Sequence, residues 1–184
     1  TTEVLAASPI SMTLQSGEVL GGNSPKVSKV TRAEGNHVVA SPFYKRSSVR
    51  DQYNELSIAF KGNYKIVFRL YNEGMAYRFE TARKGDMIVK NEQASYRFSS
   101  DHHAIVPYVN STAATFDEQF RNSFEQTYVD TAITQLNSKR LLILPAIVAL
   151  DNGKKVCITE VNLENYPGMF LNNSTDKPEL KGVF

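Results

Sequence analysis

The chain has 184 residues, 41% of them hydrophobic and 22% charged, with a formal net charge of +2. That length suits one domain with a real core, and the near-neutral balance gives no case for nucleic acid or an anionic membrane surface as partner. No apolar run approaches the ~18 residues of a membrane-spanning helix, and residues 1–5 (TTEVL) lack the basic and apolar segments of an export leader, so an exported protein would have lost its leader upstream of this chain.

The predicted elements are mostly strands. Residues 53–60 are a candidate strand closed by Lys61-Gly62-Asn63. Residues 64–70 alternate, with Tyr64, Ile66, Phe68 and Leu70 on one face and Lys65, Val67 and Arg69 on the other, the pattern of a half-buried strand. Asn72-Glu73-Gly74 supplies turn chemistry. The alternation then resumes over 75–80, with Met75, Tyr77 and Phe79 against Ala76, Arg78 and Glu80, so the two runs predict a hairpin. Residues 95–99 and 105–109 are shorter candidates. Phe116, Phe120, Phe124 and Tyr128 recur every fourth residue, which fits one face of a helix or alternate inward positions of a strand. The β-branched residues of 127–134 predict a strand there, and 116–124 reads as a loop or a single helical turn. Residues 140–150 are strongly apolar, and Pro145 inside them predicts a bulge or an edge. Asp151-Asn152-Gly153 is a hairpin turn into a strand over 155–161. Many short strands, regular turn signals and no long helix predict one antiparallel β-sandwich over 1–184.

Few residues offer chemistry. Cys157 is alone, so no intrachain disulfide forms, and its place between Val156 and Ile158 predicts a small buried residue. His102 and His103 are adjacent, so in a strand they face opposite ways and cannot share a metal. Asp101-His102-His103 reads as a polar turn, and His37 as part of a polar loop. No His or Cys pair has zinc spacing. There is no Ser nucleophile elbow, and Gly21-Gly22 lacks the Lys of a phosphate loop. Asn110, Asn172 and Asn173 each open an N-glycosylation pattern, which matters only in a secreted eukaryotic protein. Without Trp, a sugar-stacking platform would have to use Tyr. Glu160 stands where a strand gives way to a loop. On the residues alone it is a surface glutamate or a cap for that loop, and the reading ends at a β-sandwich without a complete active site.

Taken together, Ser8-Pro9-Ile10, Tyr53-Asn54-Glu55-Leu56, the run 68–79 and, above all, Ile158-Thr159-Glu160-Val161-Asn162-Leu163 with Tyr166-Pro167-Gly168-Met169 resemble the N-terminal domain of glycoside hydrolase family 97. Ser8-Pro9-Ile10, followed by Leu14 and Gly17, is similar to its early strand, and Tyr53-Asn54-Glu55-Leu56 to the next. Phe68-Arg69-Leu70-Tyr71-Asn72-Glu73-Gly74-Met75-Ala76-Tyr77-Arg78-Phe79 is similar to the family's central hairpin. Ile158-Thr159-Glu160-Val161-Asn162-Leu163, then Tyr166-Pro167-Gly168-Met169, is the most specific match, with Val161 where the family usually has Ala. The order of the segments agrees, so the resemblance covers nearly the whole chain.

The resemblance implies an all-β, antiparallel β-super-sandwich of the galactose mutarotase-like kind, incomplete at both ends. It implies a periplasmic or otherwise exported bacterial exo-acting α-glycosidase, an α-glucosidase or α-galactosidase, whose substrate is an α-linked oligosaccharide or α-galactoside. The partner would be a catalytic (β/α)8 barrel of the same polypeptide. Glu160 would be the carboxylate this domain gives to a calcium ion in the active site. Asn162 and Glu164 would be pocket contacts or residues that order the loop. Arg69 and Arg78 belong to the sheet surface or a domain interface rather than a sugar site. No catalytic residue is expected in this chain, so alone it should be inactive. The competing reading is a stand-alone carbohydrate-binding or adhesion sandwich. A mutarotase-like enzyme would need a His and a Glu around a sugar, and the histidines form no such group.

Overall fold

Alternating residues and turn-forming Gly and Asn shape almost every element of this chain. The computed structural model describes residues 3–22, 24–43 and 45–184. Its strands are β1 (Ile10–Leu14), β2 (Val19–Leu20), β3 (Val27–Ala40), β4 (Ser48–Phe60), β5 (Tyr64–Leu70), β6 (Met75–Thr81) and β7 (Val89–Arg97). There follow β8 (His103–Pro107), β9 (Tyr128–Ala132), β10 (Ala146–Ala149), β11 (Lys155–Ile158), β12 (Phe170–Asn172) and β13 (Glu179–Val183). Among the described residues the one α-helix is a single turn, α1 (Phe116–Gln119), and a 3-10 turn spans Ile133–Gln135. The pairings β1–β7, β7–β13, β12–β13, β8–β9, β8–β10, β10–β11 and those along β3-β4-β5-β6 are all antiparallel. The chain is therefore all-β, as expected.

Two compact units divide it. One is formed by the described residues up to Val19 with Ile88–Phe184, the other by the described residues of Leu20–Met87. In the first, one sheet has the order β12-β13-β7-β1-β2 and a second the order β11-β10-β8-β9. Ala94, Leu171 and Leu180 from the first sheet meet Ala104, Val106, Val148 and Ile158 from the second in one buried cluster. Two sheets closing on a shared apolar layer make a sandwich. Each large aliphatic side chain buried there contributes roughly 1.5–3 kcal/mol. A second cluster gathers Val109, Leu141, Ile143 and Phe170, with Phe116 and Phe120 packed against it. Phe120 and Phe124 also contact the Phe170 ring, which accounts for part of the fourfold aromatic spacing.

In the second unit β3-β4-β5-β6 form a meander in chain order. The hairpin of 64–80 is present, with Leu70 paired to Met75 across the turn. Gly62 (φ 103°) and Asn63 (φ 57°) take the left-handed conformation between β4 and β5, which these two residue types tolerate. Several boundaries differ from expectation. β4 begins at Ser48, and β3 pairs with it along its length, so His37 lies in a strand rather than a loop. Of residues 140–150 only Ala146–Ala149 form a strand, preceded by a cis Leu144–Pro145 peptide. Leu142 instead makes single bridges to Tyr108 and Leu171. Cys157 is exposed, because its neighbours Val156 and Ile158 are the ones that join the core. His102 is buried and His103 exposed, so the pair does face opposite ways; His102 precedes the strand, its N–H donating to the Ser100 carbonyl in a tight turn, while His103 opens β8.

Candidate functional site

β11 ends at buried Ile158, and the chain then runs through an irregular loop before β12 begins at Phe170. Asn162 (φ 58°) and Asn165 (φ 53°) turn it through the left-handed region, where Asn costs less than most residues. Glu160 closes the loop on itself: its Oε1 and Oε2 accept the Met169 backbone N–H at 2.9 and 2.8 Å. A Cβ on Gly168 would stand 3.2 Å from Glu160 Oε1, closer than side chains normally approach, so glycine at this position leaves the carboxylate its room. The cap role read from the residues alone is thus realised. Val161, Asn162, Leu163 and Glu164 are all exposed.

Tyr166 ties the same loop to β7. Its hydroxyl donates to Glu92 Oε2 at 2.7 Å, and its ring meets Phe184 edge-on at 6.1 Å. The Tyr96 hydroxyl lies 3.8 Å from Met169 Sδ. Glu92, Ala94 and Tyr96 alternate along β7 and so share a face. Burial pushes the Glu160 carboxyl above its usual range, against the Met169 hydrogen bond that favours the charge. Burial also raises Glu92; the Tyr166 hydrogen bond works against this and the nearby Glu160 charge adds to it. Burial, then the Glu92 and Glu160 charges, push Tyr96 up to about 12. Burial, then Glu92, push Tyr166 upward as well. Two carboxylates and two phenols therefore occupy one partly desolvated, electronegative place.

Sequence reasoning singled out Glu160 and Asn162 but not Glu92 or Tyr96. The strand expected over 95–99 begins at Val89, and that register is the signal that places Glu92 on the face of buried Ala94. Among the described residues no group of three or more His, Cys, Asp or Glu is arranged to hold a metal. Calcium takes about 6 to 8 oxygen ligands. Glu160 fits the part of one ligand among several: it is a half-buried carboxylate in an electronegative setting, and each oxygen keeps acceptor capacity beyond the Met169 bond.

Other candidates of the sequence are structural. Arg69 lies on the sheet surface, bonded to Glu55 at 2.9 Å with its guanidinium 4.1 Å above the Tyr53 ring. Arg78 pairs with Glu80. The Tyr53 ring lies across Gly35, whose Cβ would fall 2.3 Å from Tyr53 Cζ. With Gly35 beneath and Arg69 above, that ring is no sugar platform. Asn172 and Asn173 are buried and donate to main-chain carbonyls, so neither is open to glycosylation.

The sequence profile described as glycosyl-hydrolase 97 N-terminal matches residues 1–184. A retaining alpha-galactosidase of Bacteroides thetaiotaomicron is 45% identical over 182 residues, covering 98% of this chain and 27% of that protein. A glycoside hydrolase family 97 enzyme of a Pseudoalteromonas strain, solved with acarbose, superposes with a TM-score of 0.78 at 22% identity, over 98% of this chain and 27% of the other. A beta-arabinopyranosidase crystal structure gives a TM-score of 0.80 at 21% identity, over 98% and 30%. The chain thus spans about a quarter of the length of the curated relative, and the solved structures share its fold.

Proposed function

The chain belongs to the glycosyl-hydrolase 97 N-terminal family, and from that premise we propose that it is the amino-terminal all-β part of an exo-acting α-glycoside hydrolase. It packs on a catalytic (β/α)8 barrel of the same polypeptide and lends Glu160 to a calcium ion there. The observation that carries this reading is the 45% identity to a retaining alpha-galactosidase across 98% of the chain. That likeness favours an α-galactoside over an α-glucoside as substrate and a bacterial source; the family resemblance adds an exported, periplasmic location. Glu160 holds the ion with oxygens from the rest of the polypeptide, and Asn162, exposed two residues on, contacts sugar. The ion, when bound, supplies polarisation of a sugar oxygen or fixes a neighbouring carboxylate. This chain's own part is to present one carboxylate on a closed loop. Glycoside hydrolysis generally uses two carboxyl groups about 5 to 10 Å apart across the scissile bond, so the acid and the nucleophile come from the barrel.

Glu160→Gln in the full-length polypeptide tests this. The Gln amide oxygen still accepts the Met169 N–H, so the loop stays closed while the charge is lost. Calcium affinity is expected to fall by about 10-fold or more, together with hydrolysis of a nitrophenyl α-galactoside, at unchanged thermal stability. Calorimetric titration and rates that match the wild type in both respects would remove Glu160 from the site. The 184-residue chain alone is expected to show no turnover.

A further inference from the structure

We infer that Glu92 and Tyr166 are positioning residues: they pin the 159–169 loop to β7 and so set where the Glu160 carboxylate stands. The Tyr166-Pro167-Gly168-Met169 segment gives each of three residues a separate part in this. Met169 offers the N–H that both Glu160 oxygens share. Gly168 leaves those oxygens their room. Tyr166 reaches out of the loop to Glu92, 74 residues earlier in the sequence, through a 2.7 Å hydrogen bond. Without that tie the loop would be closed at its ends, by Glu160 on Met169, but free in the middle, where residues 161–165 are all exposed. β7 is a firm anchor, since it pairs with both β1 and β13.

A hydrogen bond onto a charged acceptor contributes more than a neutral one. This bond is made in a partly desolvated place, where water replaces it poorly. Groups that orient a metal ligand from behind commonly change affinity 10- to 100-fold when removed. Glu92 and Tyr166 act through Glu160, so their link to calcium rests on the calcium reading above. Their hold on the loop does not.

Hydrogen exchange at the Met169 amide, in calcium-free full-length polypeptide, reads the hold directly. Tyr166→Phe keeps the ring against Phe184 and deletes only the hydroxyl. It is expected to speed that exchange on the order of 10-fold. Glu92→Ala should do the same, and Glu92→Gln, whose amide oxygen still accepts the phenol proton, should restore protection. Calorimetric calcium titration is the second arm. There Tyr166→Phe is expected to weaken binding about 10-fold or more while Glu92→Gln stays closer to wild type. Met169 exchange unchanged in both Tyr166→Phe and Glu92→Ala overturns the proposal whatever calcium does. Unchanged calcium affinity in Tyr166→Phe, where Glu160→Gln has lowered it, overturns it too. Equal calcium binding by wild type and Glu160→Gln defeats the calcium reading alone, and the exchange arm still decides the hold. Should Glu92→Ala fail to fold, Tyr166→Phe carries the test.

Discussion

The sandwich unit and the four-stranded meander are both antiparallel, yet they hold their strands by different means. In the sandwich the side chains go inward: Ile133, Leu171 and Val106 are fully buried, and Leu142 nearly so. Its interior polar groups serve the main chain. Buried Gln119 donates to the carbonyls of Ala113 and Lys139 and accepts from the Leu141 N–H. In the meander β3 is exposed at every residue except Gly35. Its buried side chains, Phe60, Tyr64, Ile66 and Val67, gather at the β4–β5 turn, and elsewhere its strands are laced across the surface by Arg69–Glu55, Lys65–Glu80 and the contacts of Asp51 with His37 and Tyr71. The Glu160 loop, whose use depends on fixed geometry, hangs from the region with the larger buried core.

The largest expected effect tests that division outright. Leu171→Ala, which empties a fully buried position, should cost about 2–5 kcal/mol. Val38→Ala, at a residue 70% exposed on β3, should stay within about 0.5 kcal/mol. Chemical denaturation of both variants decides it, and equal costs would erase the contrast.

A smaller effect sharpens the account of the meander. Gly35 sits opposite Tyr53 in the β3–β4 register, beneath that ring. Gly35→Ala should cost about 1 kcal/mol by displacing the ring from Arg69, Tyr71 and His37. On a Tyr53→Ala background the same change should be neutral or stabilising, since glycine weakens a strand interior and the clash is gone. The same cost on both backgrounds would mean that the ring is not what keeps Gly35 a glycine.

How much of this was legible in the sequence follows the same contrast. β5 and β6 were readable because they are half-buried and alternate. β3, longer than either, was not, because a strand exposed along both faces has no apolar side to alternate with. In the sandwich the reverse error occurs. Residues 140–150 are apolar because two clusters claim them, Leu141 and Ile143 in one and Leu142 and Ala146 in the other, and not because they form one strand. Glu160 was visible as a carboxylate at a strand end. Its partner in Met169 is a backbone group and its neighbour Glu92 is distant in sequence, so neither carries a local signature.

The last and smallest effect gives the two regions opposite responses to pH. In the meander Glu80 is held below its usual range by the hydrogen bond from Lys65 and by Arg78, against the effect of burial. The fold therefore favours its charged form, and its contribution is present above the ordinary value of 4.5 and lost as pH falls. In the sandwich Glu92 is held above its usual range by burial and by Glu160, with Tyr166 working against them. There the fold favours the protonated form, and the contribution is full below 4.5 and lost as pH rises through the raised value. Both groups are partly exposed, so each effect is small. Thermal melts in calcium-free buffer from about pH 4 to pH 7 should show wild type gaining on Glu80→Gln as pH rises. Over the same range it should lose ground to Glu92→Gln, which keeps the Tyr166 bond without the charge. Differences that run the same way in both variants would mean that Glu92 is not the strained carboxylate its surroundings make it.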